Sequence, residues 1–170
     1  MGPGLRKFAL SAHLTFSVGW VGGVVAYLAL GVAAASSESA QTVRSAWIAM
    51  ELTGWYALVP LALASLLTGL AMALGTKWGL FRHYWVIFSL VLTVIATAVL
   101  VLHMPDVSSL ADVARRAEGE TLYALGGDLG HPAVGLAVLL VVQFLNLYKP
   151  QGMTRYGQRK QQERRAAPIA

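Results

Sequence analysis

Only 12% of the 170 residues are charged and the mean hydropathy is +0.60, against about a quarter charged in soluble domains, which excludes an ordinary soluble globular protein. There is no cysteine, and therefore no disulfide, thiolate metal site, iron–sulfur cluster or covalently attached c-type haem. The net charge of +5 follows membrane topology rather than a nucleic-acid footprint: ten of the basic residues (Arg6, Lys7, Lys77, Arg82, Lys149 and those beyond it) fall on one side of the predicted spans, and only Arg44, Arg115 and Arg116 on the other. An excess of Lys and Arg marks the cytoplasmic side, so a multi-pass membrane protein with both termini cytoplasmic is expected, with the lipid bilayer and no nucleic acid as its surroundings.

The first helix is expected over 5–35. Arg6 and Lys7, the apolar run and Ala33-Ala34-Ala35-Ser36 have the outline of a signal peptide, but the run is longer than the roughly 7 to 15 residues of such a core and reads as a retained span. Gly19 and Gly23 form a G-x-x-x-G face, beside Gly22, suited to close helix contact and offering a face for oligomerisation. A polar loop then leads to a second helix over 46–74. Pro60 removes a backbone donor inside it and predicts a kink. Glu51, one to two turns into this helix, costs a few kcal/mol unless paired, protonated or wetted, so it is either a site residue or an interfacial group reaching headgroup water.

Trp78, Phe81, Tyr84 and Trp85 follow the inner turn and suit the membrane interface. The third helix is expected over 80–104, with no charge between Arg82 and Asp106; about 20 such residues match the ~30 Å hydrocarbon core. Pro105 is expected to close it. The segment over 105–130 is too polar to span, and a short amphipathic helix after Ser109 is expected on the outer surface, with Arg115 and Arg116 on its wet side. Pro132 opens a fourth helix over 132–148, and the basic tail over 149–170 is expected to be disordered beyond its first turns. The fold class is therefore all-α: an integral membrane four-helix bundle over 1–148 with a cytoplasmic tail.

All four histidines lie in or at the ends of these spans. His13 and His83 form an inner pair and His103 and His131 an outer pair, each drawn from two helices, which is how bundles hold haem iron or a metal. His83 and His103 are 20 residues apart, hence about 30 Å along the axis and about 200° around it, and cannot share one site. The inner pair differs in depth by roughly 7 to 9 Å at the same rise. The outer pair is level and has Met104, Asp106 and Glu51 near it, a thioether, imidazole and carboxylate set suited to copper or zinc. Lys77 and Arg82 are placed either to neutralise haem propionates or simply to anchor the topology.

His13-x6-Trp20-x-Gly22-Gly23 puts His13 and Trp20 on one helix face. This resembles the first-helix signature of copper-resistance D-like membrane proteins and, more distantly, of HemJ-type protoporphyrinogen oxidases. The segment TGLAMALGTKWGLFRHYW with LVLTVIATAVLVLHM is similar to a small bacterial four-helix family of integral membrane proteins of unknown function. The resemblance implies haem b for the one family and copper handling for the other, carried here by His13, Trp20, Gly22 and Gly23 alone. The leading reading is a membrane haem-b protein, an electron carrier or haem sensor, with His13 and His83, or His103 and His131, as ligands and a redox protein or quinone as partner. As an enzyme it would be a haem-dependent oxidoreductase. Two alternatives stay open: a non-catalytic scaffold or accessory subunit, and copper or proton handling through Glu51, His103, Met104 and His131. Soluble-enzyme motifs such as a P-loop, G-x-S-x-G or H-E-x-x-H are absent.

Overall fold

A computed structural model describes residues 2–75 and 79–166, so Lys77 and Trp78 lie outside the described residues. Four helices are long and apolar enough to cross a membrane: α1 (Pro3–Ser36), α2 (Ala40–Gly75), α3 (Tyr84–Arg116) and α5 (Gly130–Tyr148). A one-turn helix, α4 (Glu120–Tyr123), lies between α3 and α5, and α6 (Arg155–Ala166) follows the last span. The long helices close a ring in which α1 packs on α2 and α5, and α3 packs on the same two. Apolar side chains such as Leu67, Leu102 and Leu147 point outward, as expected where the surrounding solvent is lipid.

Three segments depart from the expectation. Helix α2 starts at Ala40 instead of Ala46, because Ser39 accepts a hydrogen bond from the Thr42 amide and caps it, a ready N-terminal signal. Near Pro60 the helix widens: Gly54–Leu58 form a π turn in which the Val59 amide bonds the Gly54 carbonyl. That looser turn sits where the proline ring would otherwise meet the carbonyl four residues back. Helix α3 runs straight through Pro105 to Arg116, merging the third span with the amphipathic segment. The lost hydrogen bond is outweighed by burial, since Val107, Ala111 and Ala114 beyond it are fully enclosed.

The tail is the third correction. It forms α6, and Thr154 is the reason: its amide donates to the Arg82 carbonyl, its hydroxyl to the Phe81 carbonyl, and it accepts from the Gly157 amide as an N-cap. The start of the tail is thus tied to the turn before α3, where His83 and Met153 form an isolated bridge. The Gly19 and Gly23 face is also accounted for within the chain. Leu61 and Leu58 of α2 lie over the two glycines, so the two glycines make a helix contact within the bundle.

Packing is uneven along the bundle. The fully enclosed large side chains, Val43, Trp47, Met50, Leu58, Met104, Val107 and Leu122, belong to the distal end, opposite the chain termini. The terminal end encloses a cavity instead.

Candidate functional site

Helices α1, α2, α3 and α5 surround a cavity of about 980 Å³ at the terminal end, near the top of the range for small-molecule sites. Its wall repeats at helical spacing, as Arg6, Leu10, His13 and Ser17 of α1 illustrate, because residues three and four apart share one face. Arg6 and Lys149 stand in this wall, as do His13 and the thioether of Met72, among mostly apolar neighbours.

His13 is oriented from one side only. Its Nδ1 lies 3.2 Å from the Ser65 carbonyl and 3.1 Å from Thr68 Oγ1. The Thr68 hydroxyl donates to the Ala64 carbonyl at 2.6 Å, so towards His13 it accepts. With two acceptors before it, Nδ1 carries the proton and Nε2 of the neutral ring keeps its lone pair. Among the described residues Nε2 has no hydrogen-bond partner. Glycine at position 69 makes this arrangement fit, since a Cβ there would stand 3.0 Å from the imidazole Cε1. A second polar group in the wall is Ser89, whose buried Oγ has no hydrogen-bond partner among the described residues. Ser17 and Ser65, by contrast, bond each other at 2.8 Å.

The structure brings His13 to this cavity and not His83. His83 is the extended residue that precedes α3, with its ring 6.4 Å from that of Trp85, and neither it nor Arg82 lines the wall. Trp20 is buried in the bundle core, away from the wall.

At the distal end the structure does assemble His103 and His131. Their rings stack with centroids 3.8 Å apart and planes at 24°. Between them comes Asp128, which the sequence reading passed over: His103 Nε2 is 2.8 Å from its Oδ2, and His131 Nδ1 is 3.6 Å from its Oδ1. The Tyr27 hydroxyl donates to the same Oδ2 at 2.9 Å. The loop that carries Asp128 is clamped from both sides. The Trp47 indole donates to the Gly126 carbonyl at 3.1 Å, and Gly127 lies against the Gly31 backbone so closely that a side chain at either position would collide. An Asp three residues before a histidine in a glycine-rich turn was the available signal.

Asp106 stays beside His103, its Oδ2 4.0 Å from Nδ1, whereas Met104 and Glu51 are engaged elsewhere. Met104 is fully buried against Gly54 at the π turn. Glu51 pairs with Arg115, which also bonds Asp112 at 2.6 Å. This pairing depends on α3 continuing past Pro105, which carries Arg115 level with Glu51. Arg44 caps the same helix end, donating to the Ala114 and Ala117 carbonyls at 3.0 and 2.9 Å. Glu51 is therefore a partnered carboxylate.

The four long apolar helices define a small multi-pass, four-helix membrane protein. Comparison with family models, with curated proteins and with solved structures finds no match, and no family is identified.

Proposed function

We propose that the protein binds haem b in the terminal-end cavity, with His13 Nε2 as an iron ligand, and serves as a membrane electron carrier or haem-handling protein. The observation that carries this is the His13 arrangement: Nδ1 is held by two acceptors on α2, Nε2 has no hydrogen-bond partner among the described residues, and the residue lines a large, mostly apolar cavity. Ligating histidines are held in this way, with the other ring nitrogen donating to a carbonyl. Met72 stands in the same wall, and its thioether would be a second candidate iron ligand beside His13. Arg6 stands seven residues before His13, about 10 Å along the helix and on the same face. Arg6 and Lys149, which stand in the cavity wall, would meet the haem propionates. Bound there, haem would supply one-electron chemistry, while the chain would fix the ligand tautomer and neutralise the propionates. The basic excess at this end orients it to the cytoplasm.

Titrating haem into the purified full-length protein in lipid nanodiscs tests the reading. One haem per chain, with a Soret band that shifts on reduction, is expected. A colourless protein that stays colourless at saturating haem would overturn it.

A further inference from the structure

We infer that His103, His131 and Asp128 form a second site, at the distal end, for one divalent first-row transition ion, Zn²⁺ or Cu²⁺. This rests on no part of the haem reading, since the site lies at the opposite end of the bundle and shares no residue with the cavity. Three elements deliver the ligands: α3 supplies His103, α5 supplies His131, and the glycine-rich turn between α4 and α5 supplies Asp128. One nitrogen from each ring and one carboxylate oxygen lie within 4.8 Å of one another.

The separations suit a metal. Two bonds of about 2.05 Å at a tetrahedral angle hold their ligand atoms about 3.3 Å apart. The contacts from Asp128 to His103 and to His131, 2.8 and 3.6 Å through its two different oxygens, bracket that value; because the two rings are stacked with planes at 24°, entry of an ion requires the exposed His131 ring to turn out of the stack. Proton bookkeeping also closes. In the neutral His103 that donates to Asp128 the hydrogen is on Nε2; when the ion takes its place the hydrogen moves to Nδ1, which has the Asp106 carboxylate 4.0 Å away. A ligating imidazole with a carboxylate near its other nitrogen is the usual second-shell arrangement. Tyr27 is a positioning residue, holding the Asp128 carboxylate through Oδ2.

Ligand chemistry selects the ion. Two imidazoles among three ligands disfavour Ca²⁺ and Mg²⁺, which take oxygen, and suit Zn²⁺ or Cu²⁺. Three protein ligands leave a fourth position for water or an exchanging ligand. His131, whose side chain is 59% exposed, opens that position to the aqueous side. An exchangeable ion on an accessible face is the pattern of a docking or transfer site more than of a buried structural one.

The test uses the full-length protein, stripped with EDTA and titrated with ZnCl₂ by calorimetry and with CuCl₂ by electron paramagnetic resonance. One ion per chain is expected, with no competition from Ca²⁺, and a Cu²⁺ signal split by two nitrogens. His131→Ala should weaken binding at least about tenfold and leave one of the two nitrogen splittings, in a protein that still melts in one cooperative transition because the exposed ring loses only its stack on His103 and its contact with Asp128. Asp128→Asn should weaken binding similarly. His83→Ala should bind as the unaltered chain does. Absence of binding by the unaltered chain, or binding that survives either His131→Ala or Asp128→Asn within threefold, would overturn the inference.

Discussion

Tyr27, His103 and Trp47 at the distal end and His13 and Ser89 at the terminal end are polar side chains inside one bundle, and the two groups are treated differently. At the distal end the hydroxyl, the imidazole and the indole N–H converge on Asp128 and its loop, with bonds of 2.8 to 3.1 Å. Around them the packing is complete. At the terminal end His13 uses one ring nitrogen, Ser89 Oγ has no partner among the described residues, and both face a cavity of about 980 Å³. A buried polar group without a partner costs about 1 to 3 kcal/mol, so the terminal end carries a cost that a bound ligand would relieve. The distal end carries none, and its polar cluster works as a latch as it stands.

The largest effect expected from this contrast is at Asp128. Asp128→Ala removes the shared acceptor of Tyr27 and His103 and should cost about 3 kcal/mol. For a chain of this size that is a fall in melting temperature of roughly 6 to 12 °C by circular dichroism. An unchanged melting curve would remove the idea of a latch. Gly69→Ala acts on the other end. Its Cβ would press on the imidazole from 3.0 Å, and haem occupancy should drop several-fold while the melting temperature of the haem-free protein hardly moves. Equal occupancy would mean that the His13 geometry is not what binds.

Smaller effects sharpen the same comparison. Trp47→Phe deletes only the N–H bonded to Gly126 and should cost about 1 kcal/mol in thermal denaturation. Ser89→Ala should do the reverse. Removing a hydroxyl that has no partner is expected to leave the haem-free protein as stable as before or up to about 1 kcal/mol more stable. A loss of stability would show that Ser89 is satisfied in the membrane without any ligand.

The spans themselves were legible because hydropathy over some twenty residues is a direct reading of the lipid solvent. Pro105 misled because a local rule was applied where burial decides: a proline loses one hydrogen bond, but Val107, Ala111 and Ala114 gain an enclosed face. The level placement of His103 and His131 could be counted from the helices, whereas Asp128 lies in a loop whose path depends on the Gly31 and Gly127 contact between segments nearly a hundred residues apart. His83 shows the converse. Its place at the inner end of the third span paired it with His13 despite the mismatch in depth, but it precedes the first turn of α3 and is bridged to Met153, so the helical projection did not apply to it. The capped tail was foreshadowed only by Thr154, whose partners Phe81 and Arg82 are set by the tertiary fold.

The central claim is that His13, and not its sequence partner His83, marks the ligand end of the bundle. The most direct measurement is the visible absorption spectrum, oxidised and reduced, of the haem-supplemented protein and of its His13→Ala and His83→Ala variants purified side by side. The account predicts a Soret band of equal strength in the unaltered chain and in His83→Ala, and its loss in His13→Ala. A band that survives His13→Ala, or that disappears with His83→Ala, would contradict it.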